Sequence, residues 1–272
     1  MSARDHIDGF PLVLSALACP LCKSGMRATP GSAARCATCG ASYPQCGATW
    51  DLVPYETVRT DPTWQPWLHA QENGTVSYRF DPVTNLAVGD CQGSAALARF
   101  CAFDGPVLDV GCGPQDWPAY FALHSSRTSF VGVDPLIDAA SARYPQLRAL
   151  GEYLPFVSGV FRHVVFATSV DHLIRPAAAL SEAARVLTSD GEIVLWVGEK
   201  DSGEPAPAES PEWYVELVKP EGADDKFHLK RLDRDDVHRL TEIAGLQITE
   251  ERVLPVSTFR RNCFFRLRPV SR

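Results

Sequence analysis

The sequence predicts an α/β protein, a doubly wound and mostly parallel sheet with a small zinc ribbon in front of it. Three observations carry that expectation. Two Cys-x-x-Cys pairs, Cys19/Cys22 and Cys36/Cys39, lie thirteen residues apart near the N-terminus. From about Gly93 onward, short apolar runs alternate with helical patterns, as when parallel strands are joined by helical crossovers. The first of those runs enters a glycine turn, Asp109-Val110-Gly111-Cys112-Gly113, at the place where such sheets open a ligand crevice. The 272 residues are 45% hydrophobic and 22% charged, enough for a sizeable core in one or two domains. The formal charge of −7 argues against a broad nucleic-acid grip, which needs clustered Lys and Arg. It argues equally against a polybasic membrane anchor.

Taken in chain order, the cysteines come first. Five of the nine fall within the first 46 residues, which fits a local metal site in a reducing compartment better than a disulfide framework. The apolar run 10–18 ends at Cys19, but the residues before it hold one Arg and two Asp, whereas a signal sequence begins with net positive charge. No apolar run reaches 18 residues, so no membrane span is expected and the chain reads as soluble and cytoplasmic. Each Cys-x-x-Cys turn lets two sulfurs converge on one ion, and two such turns make a tetrahedral four-thiolate site for Zn²⁺. Gly25, Pro30 and Gly31 suit the intervening turn, and Gly40 suits a knuckle residue with positive φ. A closed site of this kind is structural, since no position remains for water. Cys46 is left over as a packing thiol.

Residues 55–90 are mixed in character, with Trp64, Trp67, Tyr78 and Phe80 but no strand alternation. Next come an expected helix at 93–102, a strand at 107–111, a helix at 116–125 and a strand at 129–134. Further strands are expected at 163–168, 191–197, 247–254 and 261–268, and helices at 176–187 and 235–244. The last two strands lack an intervening helix and so form an antiparallel pair at one edge. In the glycine turn, Gly permits a tight bend and close backbone approach to a ligand. A dinucleotide fingerprint would place Gly at position 116, where this chain has Asp116, which disfavours a nicotinamide cofactor. Asp134 ends the second strand 21 residues after Gly113, where a carboxylate accepts hydrogen bonds from ribose hydroxyls. Capping a helix before Pro135 is its bland alternative.

The stretch from Leu17 through Cys39 to Tyr43-Pro44 and Trp50-Asp51-Leu52-Val53-Pro54 resembles the small zinc-binding activators of tRNA and protein methyltransferases, here fused into one chain. Its formal charge of +1 over residues 1–60 becomes about −1 with Zn²⁺ on four thiolates, so a docking or stabilising module is favoured over an RNA grip. Farther along, LDVGCGPQ at 108–115, VGVDP at 131–135, GEYLPF at 151–156 and ARVLTSDGEIVLW at 184–196 resemble the S-adenosylmethionine-dependent methyltransferase superfamily, Rossmann-like and of the type 11 kind. The resemblance covers roughly residues 92–268. It implies a seven-stranded sheet, with S-adenosylmethionine held at its methionine end by Asp109, Gly111, Cys112 and Gly113. It implies Asp134 and Pro135 at the ribose, Gly151, Glu152 and Tyr153 around the adenine, and Thr168 and Ser169 at the end of the strand at 163–168. Apart from the resemblance, Tyr78 is either a plain core aromatic or a cover over the cofactor from the N-terminal side. The chain departs from the family pattern at Gln115, where a third Gly is common, at Leu150, where an Asp often meets the adenine, and at Asp190-Gly191, where Gly-Gly is usual.

Methyl transfer from a sulfonium needs alignment, exclusion of water and, for some acceptors, removal of a proton. His172 follows the fourth strand and is the candidate general base, with Asp171 as its orienter; a cofactor-shell or packing role is the alternative. His228 is a second candidate facing the acceptor. The expected organisation is a zinc ribbon at 1–60 and a methyltransferase domain at 61–272, with 61–92 and 198–230 as cap and lid over the acceptor. Within the lid, nine acids stand against two Lys across 199–225, and Trp213 and Tyr214 are the contact candidates. Six Arg and no acid occupy 252–272, with Arg260, Arg266, Arg268 and Arg272 of one parity, as on one exposed strand face; it reads either as a solvent face or as a basic patch for RNA or an acidic partner. The sequence therefore points to methylation of a small molecule, of the kind found in secondary metabolism. RNA base methylation is the runner-up, and a non-catalytic cofactor-binding scaffold stands third. A protein partner or homodimer would dock through the ribbon.

Overall fold

In the computed structural model, residues 10–47, 49–82, 92–121, 128–137, 143–205 and 209–270 are described. The N-terminal segment begins with helix α1 (Phe10–Ala16), followed by two-residue strands β1 (Ala34–Arg35), β2 (Ser42–Tyr43), β3 (Gln45–Cys46) and β4 (Thr49–Trp50). Here β1 pairs antiparallel with β2, and β3 with β4. Helices α2 (Tyr55–Thr60) and α3 (Gln65–Phe80) come next, then α4 (Gln92–Phe100). The mixed stretch 55–90 is thus mainly helical where it is described. Helix α3 hides its periodicity because two of its four buried positions, Asn73 and Ser77, are polar beside Trp67 and Ala70.

The main sheet begins with β5 (Val107–Val110) and β6 (Phe130–Val133), buried along their whole length, as strands are when covered on both faces. It continues with β7 (Gln146–Leu147) and β8 (Phe161–Ala167). Helix α5 (Pro176–Val186) starts with Pro in its first turn, where the missing N–H has no partner to lose. Strand β9 (Leu187–Lys200), helix α6 (Glu212–Glu216), helix α7 (Arg234–Ile243) and strands β10 (Leu246–Pro255) and β11 (Arg260–Pro269) complete the order. Asp233 and Asp236 close a reciprocal capping box at the start of α7, satisfying donors a helix leaves free at its N-terminus.

The seven strands run β10-β11-β9-β8-β5-β6-β7. Pairs β5–β6, β6–β7, β5–β8 and β8–β9 are parallel, while β11 is antiparallel to both β9 and β10. The expected edge hairpin is therefore present. The chain builds outward from β5 through β6 and β7, then returns to the other side of β5 at β8, and a crevice opens where strand order reverses.

Two expectations change. Of the helix read at 116–125, the described residues 116–121 hold a 3₁₀ turn, Ala119–Phe121; Trp117, Tyr120 and Phe121 turn into an aromatic cluster with Phe130 and Tyr144, and residues 122–127 lie outside the described region. The arginines of β11 do not form a free basic face. Arg260 pairs with Glu204, Arg261 with Glu199 and Asp201, and Arg266 with Glu192 and Glu250. Arg272 lies outside the described residues.

The N-terminal segment is built onto the sheet. The amide of Ala18 donates to Pro155 O at 2.8 Å and that of Val157 to Ala16 O at 2.8 Å. Beyond β7, Leu52 N donates to Arg148 O at 2.7 Å and Arg148 N to Trp50 O at 3.1 Å, covering an edge that would otherwise offer unpaired donors and acceptors. Val13, Leu17, Trp50 and Leu52 belong to one apolar core with Leu108, Val131 and Phe156.

Packing is tight where α4 meets the sheet: a Cβ on Gly93 would stand 2.2 Å from the Trp196 ring, whereas one on Gly198 meets nothing within 4 Å. Gly93→Ala should lower the unfolding free energy by about 1–3 kcal/mol in denaturant titration while Gly198→Ala leaves it nearly unchanged. Equal midpoints for the two variants would contradict this packing.

Candidate active site

The crevice is shaped by a turn that only glycine makes easily. Gly111 and Gly113 take φ of +76° and +66°, in the left-handed region, so the chain doubles back directly after β5. A Cβ on Gly111 would fall 2.3 Å from Ser169 Cβ, and Ser169 Oγ donates to Val110 O at 2.5 Å. The loops after β5 and β8 are thus pressed together. Thr168 itself has a positive φ of 56°, uncommon for a residue with a branched Cβ.

Asp134 ties the turn to the end of β6. Its Oδ2 accepts from Gly113 N at 2.9 Å and its Oδ1 from Leu136 N at 2.7 Å. Burial raises the pKa of this carboxyl, opposed by the two amides. Each carboxylate oxygen retains a further acceptor site, and the residue lines the cavity.

That cavity has a volume of about 330 Å³, at the lower end of the range for small-molecule sites. Gly111, Cys112, Asp134, Pro135, Gly151, Thr168 and Ser169 line it, and so do Tyr78, His172 and His228. Asp109 lies beneath the wall: its Oδ2 accepts from Tyr120 Oη at 2.6 Å, and burial pushes its carboxyl up to about 7 against that hydrogen bond. Gly113 is the turn residue whose amide Asp134 holds. Glu152 and Tyr153 are not among the lining residues. Glu152 Oε1 instead accepts from the amides of Ile174 and Arg175 at 2.9 and 3.1 Å, and Tyr153 packs on Trp64. The opposite wall comes from α3, through Trp67, Ala70, Gln71, Ser77 and Tyr78, and from Phe227, His228 and Arg231. Trp213 and Tyr214 do not line the cavity; they pack against Phe80 and Phe227.

Sequence reasoning missed Trp196, Arg231 and Asn73. Trp196 ends the match across β8 and β9 opposite Ala167, a position readable from the fifth strand's apolar run. Asn73 is buried and its Nδ2 donates to Val218 O at 2.8 Å and Lys226 O at 2.7 Å, fastening α3 to the segment after β9. Nothing in the local sequence marks it.

The polar end of the cavity is an imidazole pair. His172 and His228 have ring centroids 4.1 Å apart, tilted by 34°. His172 Nδ1 lies 3.2 Å from Phe227 O, so in the neutral ring Nδ1 carries the hydrogen and Nε2 the lone pair. Burial, then the neighbouring His228, hold its pKa down to about 4, keeping it neutral near pH 7. His228 Nδ1 is 2.8 Å from Asp225 Oδ1, and its Nε2 is 3.6 Å from Asp171 Oδ2.

At the N-terminal segment, Cys19, Cys22, Cys36 and Cys39 place their sulfurs within 4.8 Å of one another. Cys19–Cys39 and Cys22–Cys36 are 3.5 and 3.4 Å apart. A tetrahedral zinc–thiolate site with ordinary bond lengths has edges of about 3.8 Å, so this set can hold Zn²⁺. Gly40 has φ +78°, as expected for the knuckle. Cys46 is exposed, correcting its reading as a packing thiol, whereas Cys101, Cys112 and Cys263 are buried. Cys91 lies outside the described residues.

Residues 108–195, which run from β5 through the glycine turn and His172 into β9, match the family model of a methyltransferase domain. That match spans about a third of the chain. Solved structures with the same fold include Burkholderia thailandensis 1,6-didemethyltoxoflavin-N1-methyltransferase with its acceptor and S-adenosylhomocysteine, at 13% identity and TM-score 0.53, covering 90% of this chain and 99% of that one. Another is the complex between the Haloferax volcanii Trm112 methyltransferase activator and a putative methyltransferase, at 15% identity and TM-score 0.52, covering 75% and 98%. A third is the [4+2]-cyclase SpnF, at 16% identity and TM-score 0.54, covering 76% and 97%. These likenesses show the fold; the third shows that the fold also serves other chemistry. A comparison with curated proteins finds no match. No helix among the described residues is long and apolar enough to cross a membrane.

The two hydrogen bonds from Asn73 make a local prediction. Asn73→Ala should speed amide hydrogen exchange in residues 214–230 at least several-fold, because the segment loses its tie to α3. Unchanged exchange there would show that the tie does not hold the wall.

Proposed function

We propose that this protein transfers the methyl group of S-adenosylmethionine to a small molecule, with the four-cysteine segment holding a structural Zn²⁺ ion. The observation that carries the reading is the single cavity joining the glycine turn and Asp134 to a polar acceptor end, roofed by α3 and residues 227–231. Buried polar atoms on its wall, Gln115 Oε1 and Trp196 Nε1, have no partner among the described residues, which suits a polar occupant. Asp134 would meet the ribose hydroxyls, Ala149, Leu150 and Gly151 the adenine, and Gly111 and Cys112 the methionine end. S-adenosylmethionine supplies an activated methyl on a cationic sulfur. The chain's own residues align the acceptor, keep water out and offer neutral nitrogen at His172 beside it.

A small acceptor is favoured over RNA by the limited volume of the cavity and by the spent charge of β11, whose described arginines pair with carboxylates of this chain. The cysteine-rich segment acts in cis on this reading. Its residues Trp50 and Leu52 pair with Arg148, immediately before the wall residues Ala149–Gly151, so it braces the adenine side. The solved complex with the Trm112 activator offers a parallel in two chains. Free thiols and a reducing-compartment metal site accord with a cytoplasmic setting.

The test is transfer of labelled methyl from S-adenosylmethionine by the purified protein to a metabolite extract, total RNA and protein offered separately. Label should enter only the metabolite fraction. Label entering RNA alone would overturn the small-molecule reading, and S-adenosylhomocysteine binding without any transfer would favour the scaffold.

A further inference from the structure

The acceptor end holds three potential ligands that the methyltransferase fold does not require. One nitrogen from each of His172 and His228 and a carboxylate oxygen of Asp171 lie within 4.8 Å of one another. We propose that these three side chains bind a divalent transition-metal ion, Zn²⁺, Fe²⁺ or Co²⁺ in type, separate from the ion of the four cysteines.

Three features support the site. First, the outward nitrogens of both rings are already held. His228 Nδ1 faces Asp225 Oδ1 at 2.8 Å and His172 Nδ1 faces Phe227 O at 3.2 Å. Carboxylate or carbonyl contacts of this kind orient metal-binding histidines and leave Nε2 as the donor. Second, Asp171 Oδ1 is buried and lacks a hydrogen-bond partner among the described residues, in a side chain only 6% exposed. Its other oxygen is 3.6 Å from His228 Nε2, too long for a good hydrogen bond. Two donors bound to one ion at about 2.1 Å each stand about 3–4 Å apart, so an ion accounts for a spacing that a hydrogen bond does not. Third, the local charge suits a cation. Arg231, which also lines the cavity, is paired with Asp225 through Nε at 2.6 Å, leaving the Asp171 carboxylate as the anion for the ion. Two imidazoles and one carboxylate favour a borderline transition metal over Mg²⁺ or Ca²⁺, which prefer all-oxygen sites.

Three protein ligands leave at least one coordination position open. His172 and His228 both line the cavity, so the open side faces the acceptor. The role that follows rests on the methyl-transfer reading. An acceptor hydroxyl would bind the ion as its anion, releasing its proton to solvent. Its oxygen lone pair would form the new O–C bond while the C–S bond breaks, with that pair staying on sulfur and S-adenosylhomocysteine leaving. The favoured acceptors are therefore phenols or hydroxy acids that can ligate a metal.

Metal content and a Co²⁺ titration followed by visible absorption, on the full chain, test the proposal. The wild type should hold one tightly bound ion and one exchangeable equivalent of Co²⁺ whose spectrum lacks thiolate charge-transfer bands. Asp171→Asn, His172→Gln and His228→Gln should each weaken the exchangeable equivalent at least ten-fold and keep the tight ion, whereas Cys36→Ser should do the reverse. Calorimetric binding of S-adenosylhomocysteine in the same samples reports cofactor-site integrity. If that binding is absent while the exchangeable ion remains, the methyl-transfer reading fails and the metal site stands. Saturation of the wild type at one ion per chain, or an exchangeable ion that survives all three cavity variants, would overturn the site and leave His172 as a proton acceptor alone.

Discussion

One buried carboxylate holds the centre of this molecule together. Asp134 accepts from Gly113 N and Leu136 N, joining the turn after β5 to the turn after β6. The first turn can come so near only because Gly111 lets its backbone press on Ser169, at the end of β8. Three strand ends are thereby fixed against one another, and the cavity floor follows from their positions. The interaction lives at a boundary between stability and function. Two backbone amides offset part of the cost of burying the carboxylate, while its remaining acceptor capacity stays available on the cavity wall.

The other walls depend on pieces from outside the central sheet. Helix α3 presents Trp67, Ala70 and Tyr78 to the cavity, and Trp67 Nε1 donates to His172 O at 3.1 Å. The segment after β9 brings Phe227, His228 and Arg231, and Asn73 ties the two together. On the far side, the cysteine-rich segment covers the β7 edge and contributes Val13, Leu17 and Trp50 to the same apolar core as β5 and β6. Lys23 extends from its first knuckle to Glu182 of α5, which also binds Arg185. A burial contribution of the order of 1.5–3 kcal/mol for each fully buried large apolar side chain makes this attachment part of the fold rather than an appendage.

Much of this plan is legible in the sequence, and the limits have physical causes. The strands β5, β6 and β8 stand out because parallel strands buried on both faces read as continuous apolar runs. The edge hairpin was readable from the absence of a helix between 247–254 and 261–268. The cysteine spacing foretells the convergence of four sulfurs, since each knuckle is a local structure. Helix α3 was not readable: Asn73 and Ser77 occupy inward positions, and their partners come from residues far along the chain. Within 116–121 the expected helix gives way to a 3₁₀ turn, where Trp117, Tyr120 and Phe121 are drawn into an aromatic cluster. Glu152 and Tyr153 show the limit of motif reasoning, because motif position does not say which way a side chain turns; Glu152 serves the backbone of Ile174 and Arg175. The imidazole pair was foreseen as separate residues. Its assembly with Asp171 and Asp225 needs the return of the chain after β9, which no local pattern encodes.

The central claim is that Asp134 and the glycine turn form the floor of an S-adenosyl cofactor site. Calorimetric titration of S-adenosylhomocysteine into the wild type and into Asp134→Ala tests it most directly. The account predicts one site per chain in the wild type and affinity weakened at least ten-fold in the variant, with the loss of hydrogen bonds to the ribose as its cause. Equal affinity in the two proteins, with both folded by circular dichroism, would contradict it.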